Sequence, residues 1–224
     1  MLWDELLASL EGSPVRLMKS EHSPDHRGLR MAHRSIPVSL SETEFNYLTK
    51  YIVDHDLKCG FDLATAFGVS ALSMGLGLKA TGGRLLSMDS YHEELSQAQP
   101  IGVSAGDLFK DADGYRMAAW LVKKFDVPVT LKCGWSPTDT VREIKEMFGK
   151  GKLDVVFLDC PKSDEDLERD LGSLAGLLAP RFAVFVHDTH TMERPSEVAE
   201  KILGVKMVNV IPQQRFAFMC ISNL

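Results

Sequence analysis

The chain has no CxxC pair, no block of basic residues and no unbroken apolar stretch beyond a handful of residues. Runs such as 182–186 (FAVFV) fall far short of the ~20 residues a membrane-spanning helix needs. Lys and Arg total 25 against 31 Asp and Glu, and the resulting charge of −6 is spread along the chain. That balance is a poor match for a polyphosphate backbone or a membrane surface, so neither nucleic acid nor membrane is expected as a partner. The dinucleotide pattern GxGxxG and the phosphate-loop pattern GxxxxGK[ST] are both missing. The four cysteines, Cys59, Cys133, Cys160 and Cys220, lie far apart and read as reduced, small core residues. The opening MLWDELLASLEG is acidic and amphipathic, without the basic start and apolar stretch of a signal peptide, and points to a cytoplasmic protein.

What is there suits an ordinary globule: 224 residues, 45% hydrophobic and 25% charged, enough for one sizeable core. Leu2, Trp3, Leu6, Leu7 and Leu10 form one helical stripe, stopped by Gly12 and Pro14, and that stripe needs a surface to cover it. Residues 13–37 are polar and read as loop. Ser41 to Glu44 is a capping box, with Phe45, Leu48 and Ile52 following at helical spacing. Beyond it, short apolar runs at 59–64, 84–89, 128–133, 154–159 and 182–187 alternate with helical patterns at 69–80, 114–125, 137–149, 164–178 and 195–203. Strands apolar on both faces, alternating with amphipathic helices, imply a parallel sheet covered on two sides, a doubly wound α/β fold. The last two strand-like runs are separated only by Pro212 to Arg215, too few residues for a crossover helix, so they must be antiparallel neighbours.

Ligands of open α/β sheets bind beyond the carboxyl ends of the strands, so the residues there carry the chemistry. The first strand runs into Asp62-Leu-Ala-Thr-Ala-Phe-Gly68-Val-Ser70, an acid, small residues and a glycine before a helix. The second ends in Asp89-Ser90, where an acid about twenty residues past the turn can accept two ribose hydroxyls. The third ends in Cys133-Gly134-Trp135. The fourth gives Asp159-Cys-Pro-Lys162 and the fifth His187-Asp188-Thr189-His190. On adjacent central strands Asp159 and Asp188 converge, and two carboxylates with the Thr189 hydroxyl are a hard oxygen set of the kind Mg²⁺ prefers. The His187/His190 pair leaves open a transition-metal site or a histidine base. Residues 91–114 are long for a connection, and Asp113 reads as a helix N-cap.

Over roughly residues 40–222 the strand order and the motif positions resemble the class I S-adenosylmethionine-dependent methyltransferases, and Asp159-x-x-Lys162 followed by Asp188 resembles the cation-dependent O-methyltransferases of the catechol and caffeoyl-CoA type. The resemblance implies a seven-stranded, mostly parallel sheet with an antiparallel C-terminal hairpin strand. It implies an N-terminal cap over 1–40 and a methyltransferase domain over 41–224, the cap covering substrate or forming a homodimer contact. Cofactor binding would fall to Asp62, Ala64, Gly68, Ser70, Asp89, Ser90 and Trp135, metal binding to Asp159, Asp188 and Thr189, and catalysis to Lys162 and His190. Lys162 would need a lowered pKa to take a proton. Ala64 stands where the family has glycine and Thr189 where it has asparagine. The implied activity is methyl transfer from S-adenosylmethionine to a hydroxyl of a small molecule, assisted by a divalent cation. Two rivals on the same scaffold stay open: a non-catalytic binding module, and a metal-dependent hydroxylase-like enzyme using His187, Asp188 and His190.

Overall fold

The computed structural model describes residues 2–11, 16–17, 40–90, 109–110, 114–149, 152–210 and 219–224. The chain opens with α1 (Leu2–Glu11), followed by β1 (Arg16–Leu17), α2 (Glu42–Asp54), β2 (Cys59–Leu63), α3 (Val69–Thr81) and β3 (Arg84–Asp89). Next come β4 (Phe109–Lys110), α4 (Gly114–Phe125), β5 (Val129–Cys133), α5 (Thr140–Phe148), β6 (Leu153–Leu158) and α6 (Asp164–Leu174). A single 3₁₀ turn leads into β7 (Leu178–Val186), and α7 (Pro195–Leu203), β8 (Met207–Asn209) and β9 (Met219–Ser222) close the chain. Among the described residues no helix is long and apolar enough to cross a membrane.

Seven strands form one sheet in the order β5-β3-β2-β6-β7-β9-β8. The first five are parallel, and β9 runs antiparallel to both β7 and β8. The expected α/β architecture with a closing antiparallel pair is therefore present. Direction reverses between β2 and β6: from β2 the chain moves outward to β3 and β5, then returns to β6 on the other side. Separately, β1 pairs antiparallel with β4, tying the N-terminal segment to the stretch between β3 and α4.

Period-two alternation divides the strand side chains between two cores. Along β6, Val155 and Phe157 join a cluster under α1 to α4, while Val156 and Leu158 join one under α5 to α7. The α6 stripe of Leu167, Leu171 and Leu174 is fully buried, and Leu178 is buried at the start of β7. Trp3 and Leu6 are buried in the first core, with the Trp3 ring edge-on to Phe45 at 5.5 Å. The surface that covers this part of the N-terminal stripe is thus the chain's own.

Three expectations need correction. The helix expected from 137 begins at Thr140, because Asp139 turns its carboxylate back to the Trp135 N–H at 2.9 Å rather than capping the helix. The helix expected to reach 178 ends at 174, and the last strand of the parallel set begins four residues earlier than its apolar run suggests, through Ala-Pro-Arg. Cys133 is exposed rather than a core residue, whereas Cys59 and Cys160 are half-buried; all three are free thiols. The Asp113 cap and most of 13–37 and 91–113 lie outside the described residues.

Candidate active site

Each of the four central strands delivers an acid to the same rim. Asp62 is the penultimate residue of β2, Asp89 ends β3, Asp159 follows β6, and Asp188 lies two residues beyond β7. The reversal point between β2 and β6 falls in the middle of this row, where a crevice is expected in an open α/β sheet.

The β2–α3 turn is built from small residues in left-handed backbone. Ala64 has φ 71°, Ala66 φ 44° and Gly68 φ 87°. Only glycine adopts such values without cost, so two alanines here hold the loop in a conformation the surroundings must enforce. Two bonds do so: the Ala64 N–H donates to the Met88 carbonyl at 2.9 Å, and the Ala66 N–H donates to Asp89 Oδ2 at 2.8 Å. Gly68 is required by packing as well, since a Cβ there would lie 2.7 Å from the Ala118 Cα of α4. Asp89 thus braces the preceding loop.

Asp62 is fully buried beneath this turn. The Ser87 hydroxyl donates to its Oδ2 at 2.6 Å and lies 2.5 Å from the Thr65 hydroxyl. Burial pushes the Asp62 carboxyl up to about 7, although bonds from Ser87 and Ser70 pull against it; the neighbouring charges of Asp159 and Asp89 add to the rise. Ser70, itself buried, therefore belongs to the same network. Ser90 follows β3, and its carbonyl lies 3.3 Å from the Cys133 thiol. Trp135 follows β5, at the far end of the row, and is 56% exposed.

Beyond β6 and β7 the side chains form a continuous charged cluster. The Lys162 ammonium donates to Asp188 Oδ2 at 2.8 Å, to the Asp159 carbonyl at 2.8 Å and to Asp159 Oδ1 at 3.4 Å. His187 Nδ1 lies 3.0 Å from the same Asp159 Oδ1. Donor atoms of Asp159, His187 and Asp188 fall within 4.8 Å of one another. Asp188 is itself in left-handed backbone at φ 54°. His190 approaches from the following 3₁₀ turn, with Nδ1 3.9 Å from Asp188 Oδ1, and Thr189 is buried in that turn.

The electrostatics of Lys162 run against its burial. Burial alone would lower the Lys162 ammonium, but Asp159 and Asp188 outweigh it and hold its pKa above the ordinary lysine value. In this arrangement the charged form of Lys162 is favoured. Burial likewise raises Asp159, yet His187 and Lys162 hold it below the usual carboxylate range. Burial opposes a charged His187, but Asp159 first, and then Glu44, raise its pKa well above 6.5. Burial above all drives the Cys160 thiol up, and the thiol donates to Asp170 Oδ2 at 3.2 Å, so its protonated form is favoured.

Reading strand ends brings out Asp159, Lys162, Asp188 and His190, which do converge. It misses Glu44, whose carboxylate reaches His187 from α2. The only sequence signal at Glu44 is its place in the capping box.

A family described as "Methyltransferase domain" matches residues 63–189, more than half of the chain. Solved structures share the fold at low identity. TomG, an O-methyltransferase from Streptomyces achromogenes in complex with SAM, is 13% identical with a TM-score of 0.60, covering 99% of this chain and 96% of its own. An O-methyltransferase from Bacillus cereus in complex with SAH is 12% identical with a TM-score of 0.58, covering 99% and 87%. Cofactor-bound Rv0187 from MTB is 12% identical with a TM-score of 0.60, covering 98% and 88%. No curated protein matches the chain. The reversal point, the acid-bearing strand ends and the domain match agree: the chain belongs to the methyltransferase-domain family.

Proposed function

We propose that this protein transfers a methyl group from S-adenosylmethionine to a hydroxyl of a small molecule, aided by a divalent cation such as Mg²⁺. One observation carries the reading: Asp62, Asp89, Asp159 and Asp188 share one rim across the reversal point. The bound donor would supply an electrophilic methyl carbon on a sulfonium. The protein's part is then to hold the two reactants in line and keep water away.

The β2–β3 half suits the donor. Asp62, supported by Ser70, would pair with its ammonium group. Asp89 and Ser90 would receive the ribose hydroxyls. Ala64 and Gly68 keep the loop low enough for close approach, and the exposed Trp135 ring offers a face for the adenine. The β6–β7 half suits the acceptor. The donor atoms of Asp159, His187 and Asp188 are close enough to meet on one ion, and Thr189 completes the oxygen set in the reading from sequence. A divalent cation there would lower the pKa of an acceptor hydroxyl. It would also take over the carboxylates that Lys162 now bridges. Lys162, once released from those carboxylates, and His190 are the side chains proposed to receive the acceptor's proton. Residues 1–40 are proposed as the cap on the acceptor side, a reading supported by the β1–β4 pairing.

Calorimetric titration with S-adenosylhomocysteine tests the proposal. Saturable binding is expected, weakened about tenfold or more in Asp89→Asn, the cost of losing a charge-assisted bond. Absence of heat up to millimolar ligand would refute it.

A further inference from the structure

The Ser41–Glu44 capping box does more than start a helix. In such a box the glutamate's task is to reach back to the N-cap backbone, and one oxygen is sufficient for it. Here Glu44 Oε2 does all of that work, accepting from the Ser41 N–H at 2.7 Å and from the Ser41 hydroxyl at 2.9 Å. The other oxygen, Oε1, is turned inward and lies 3.5 Å from His187 Nε2. Glu44 is 2% exposed and His187 6%. A glutamine would serve the cap as well as a glutamate. The cap therefore does not account for the second carboxylate oxygen, which faces the His187 imidazole.

On its other edge, His187 Nδ1 meets Asp159 Oδ1 at 3.0 Å. The ring thus lies between two carboxylates, hydrogen-bonded to the one beyond β6 and approached by the one from α2. Neither Asp159 nor His187 is adjacent to Glu44 in the fold's chain order; α2 precedes the sheet entirely. We propose that Glu44 is a positioning residue of the active site: it fixes the His187 ring so that Nδ1 faces the Asp159–Asp188 pair. Carboxylates on the outer nitrogen of a histidine set its orientation at ion-binding sites, and losing them typically weakens binding about 10–100-fold. The consequence is that α2, through its own N-terminus, controls the geometry of the acceptor half of the site. This rests on the function proposed above for Asp159 and Asp188.

The test compares Glu44→Gln with Ser41→Ala in the full-length protein labelled with ¹⁵N-histidine. Glu44→Gln keeps an acceptor for the Ser41 N–H and removes the charge facing His187. Ser41→Ala weakens the same cap and keeps that charge. The expected result is a shift of the His187 ring-nitrogen signals in Glu44→Gln, with an unfolding midpoint close to wild type. Ser41→Ala should lower the midpoint and leave the ring signals in place. Mn²⁺ affinity, read by electron paramagnetic resonance, should fall about tenfold or more in Glu44→Gln, while S-adenosylhomocysteine affinity stays within about twofold. Unchanged ring signals in Glu44→Gln, or ring signals that move equally in both variants, would overturn the proposal. If the wild type binds no Mn²⁺, the cation reading fails, and the ring signals still decide the role of Glu44.

Discussion

Asp62 shows most directly how one residue's environment sets its chemistry. Its carboxyl titrates near 3.8 in an unfolded chain and near 7 in the folded one, chiefly because it is buried. The folded state therefore holds an extra proton between those values. The stability this contributes is complete below about pH 3.8, declines as pH rises, and is gone above about pH 7. Asp62→Asn does not titrate, so its unfolding midpoint should gain on wild type from about pH 4 to about pH 7 and then run parallel. A constant offset across that range would contradict the burial argument. On the proposed function, wild-type affinity for S-adenosylhomocysteine should also fall below about pH 7, since a protonated Asp62 cannot pair with an ammonium. At the same scale Lys162 marks where sequence reading stops. Its spacing from Asp159 is visible in the sequence, but its protonation depends on Asp188, twenty-six residues away, and only folding brings the two together.

Among the elements, the β2–α3 turn is the most demanding. Gly68 combines a left-handed φ of 87° with a neighbour, Ala118, that leaves no room for a methyl. Gly68→Ala should cost about 2–4 kcal/mol from strain and overpacking together, measured by urea denaturation, and should abolish cofactor binding. A cost below about 1 kcal/mol would mean that α4 can retreat from the turn. Most elements were legible because their signals are local. The Ser41 cap, the helical pattern that became α6 and the apolar strands each depend on neighbours a turn or less away. The misplaced ends have other causes. Asp139 accepts from the Trp135 N–H instead of capping the helix, and β7 starts ahead of its apolar run because Leu178 already pairs with Leu153, with Pro180 and Arg181 between.

For the whole molecule, the two cores share a single sheet, so neither helical layer stands without the other. α1 belongs to this unit through Trp3 and Leu6. Trp3→Ala should therefore lower global stability, by about 3 kcal/mol, and not merely fray the end of the chain. Circular dichroism and fluorescence should report one coincident transition shifted to lower denaturant; an unshifted midpoint would show α1 to be dispensable. The acids on the rim are spread over more than 120 residues of sequence, from Asp62 to Asp188, and become one site only because four parallel strands end at the same level.

Alternating apolar runs and helical stripes were enough to specify a parallel, doubly wound sheet closed by an antiparallel pair, since hydrophobic period and connection length are properties of short segments. They also marked which strand ends carry acids. The shifted titration of Asp62 and Asp159, the ion pairing of Lys162 and the reach of Glu44 toward His187 were settled by the folded chain alone. Each depends on burial and on charges brought together from distant segments, and neither burial depth nor a through-space partner is written in local order.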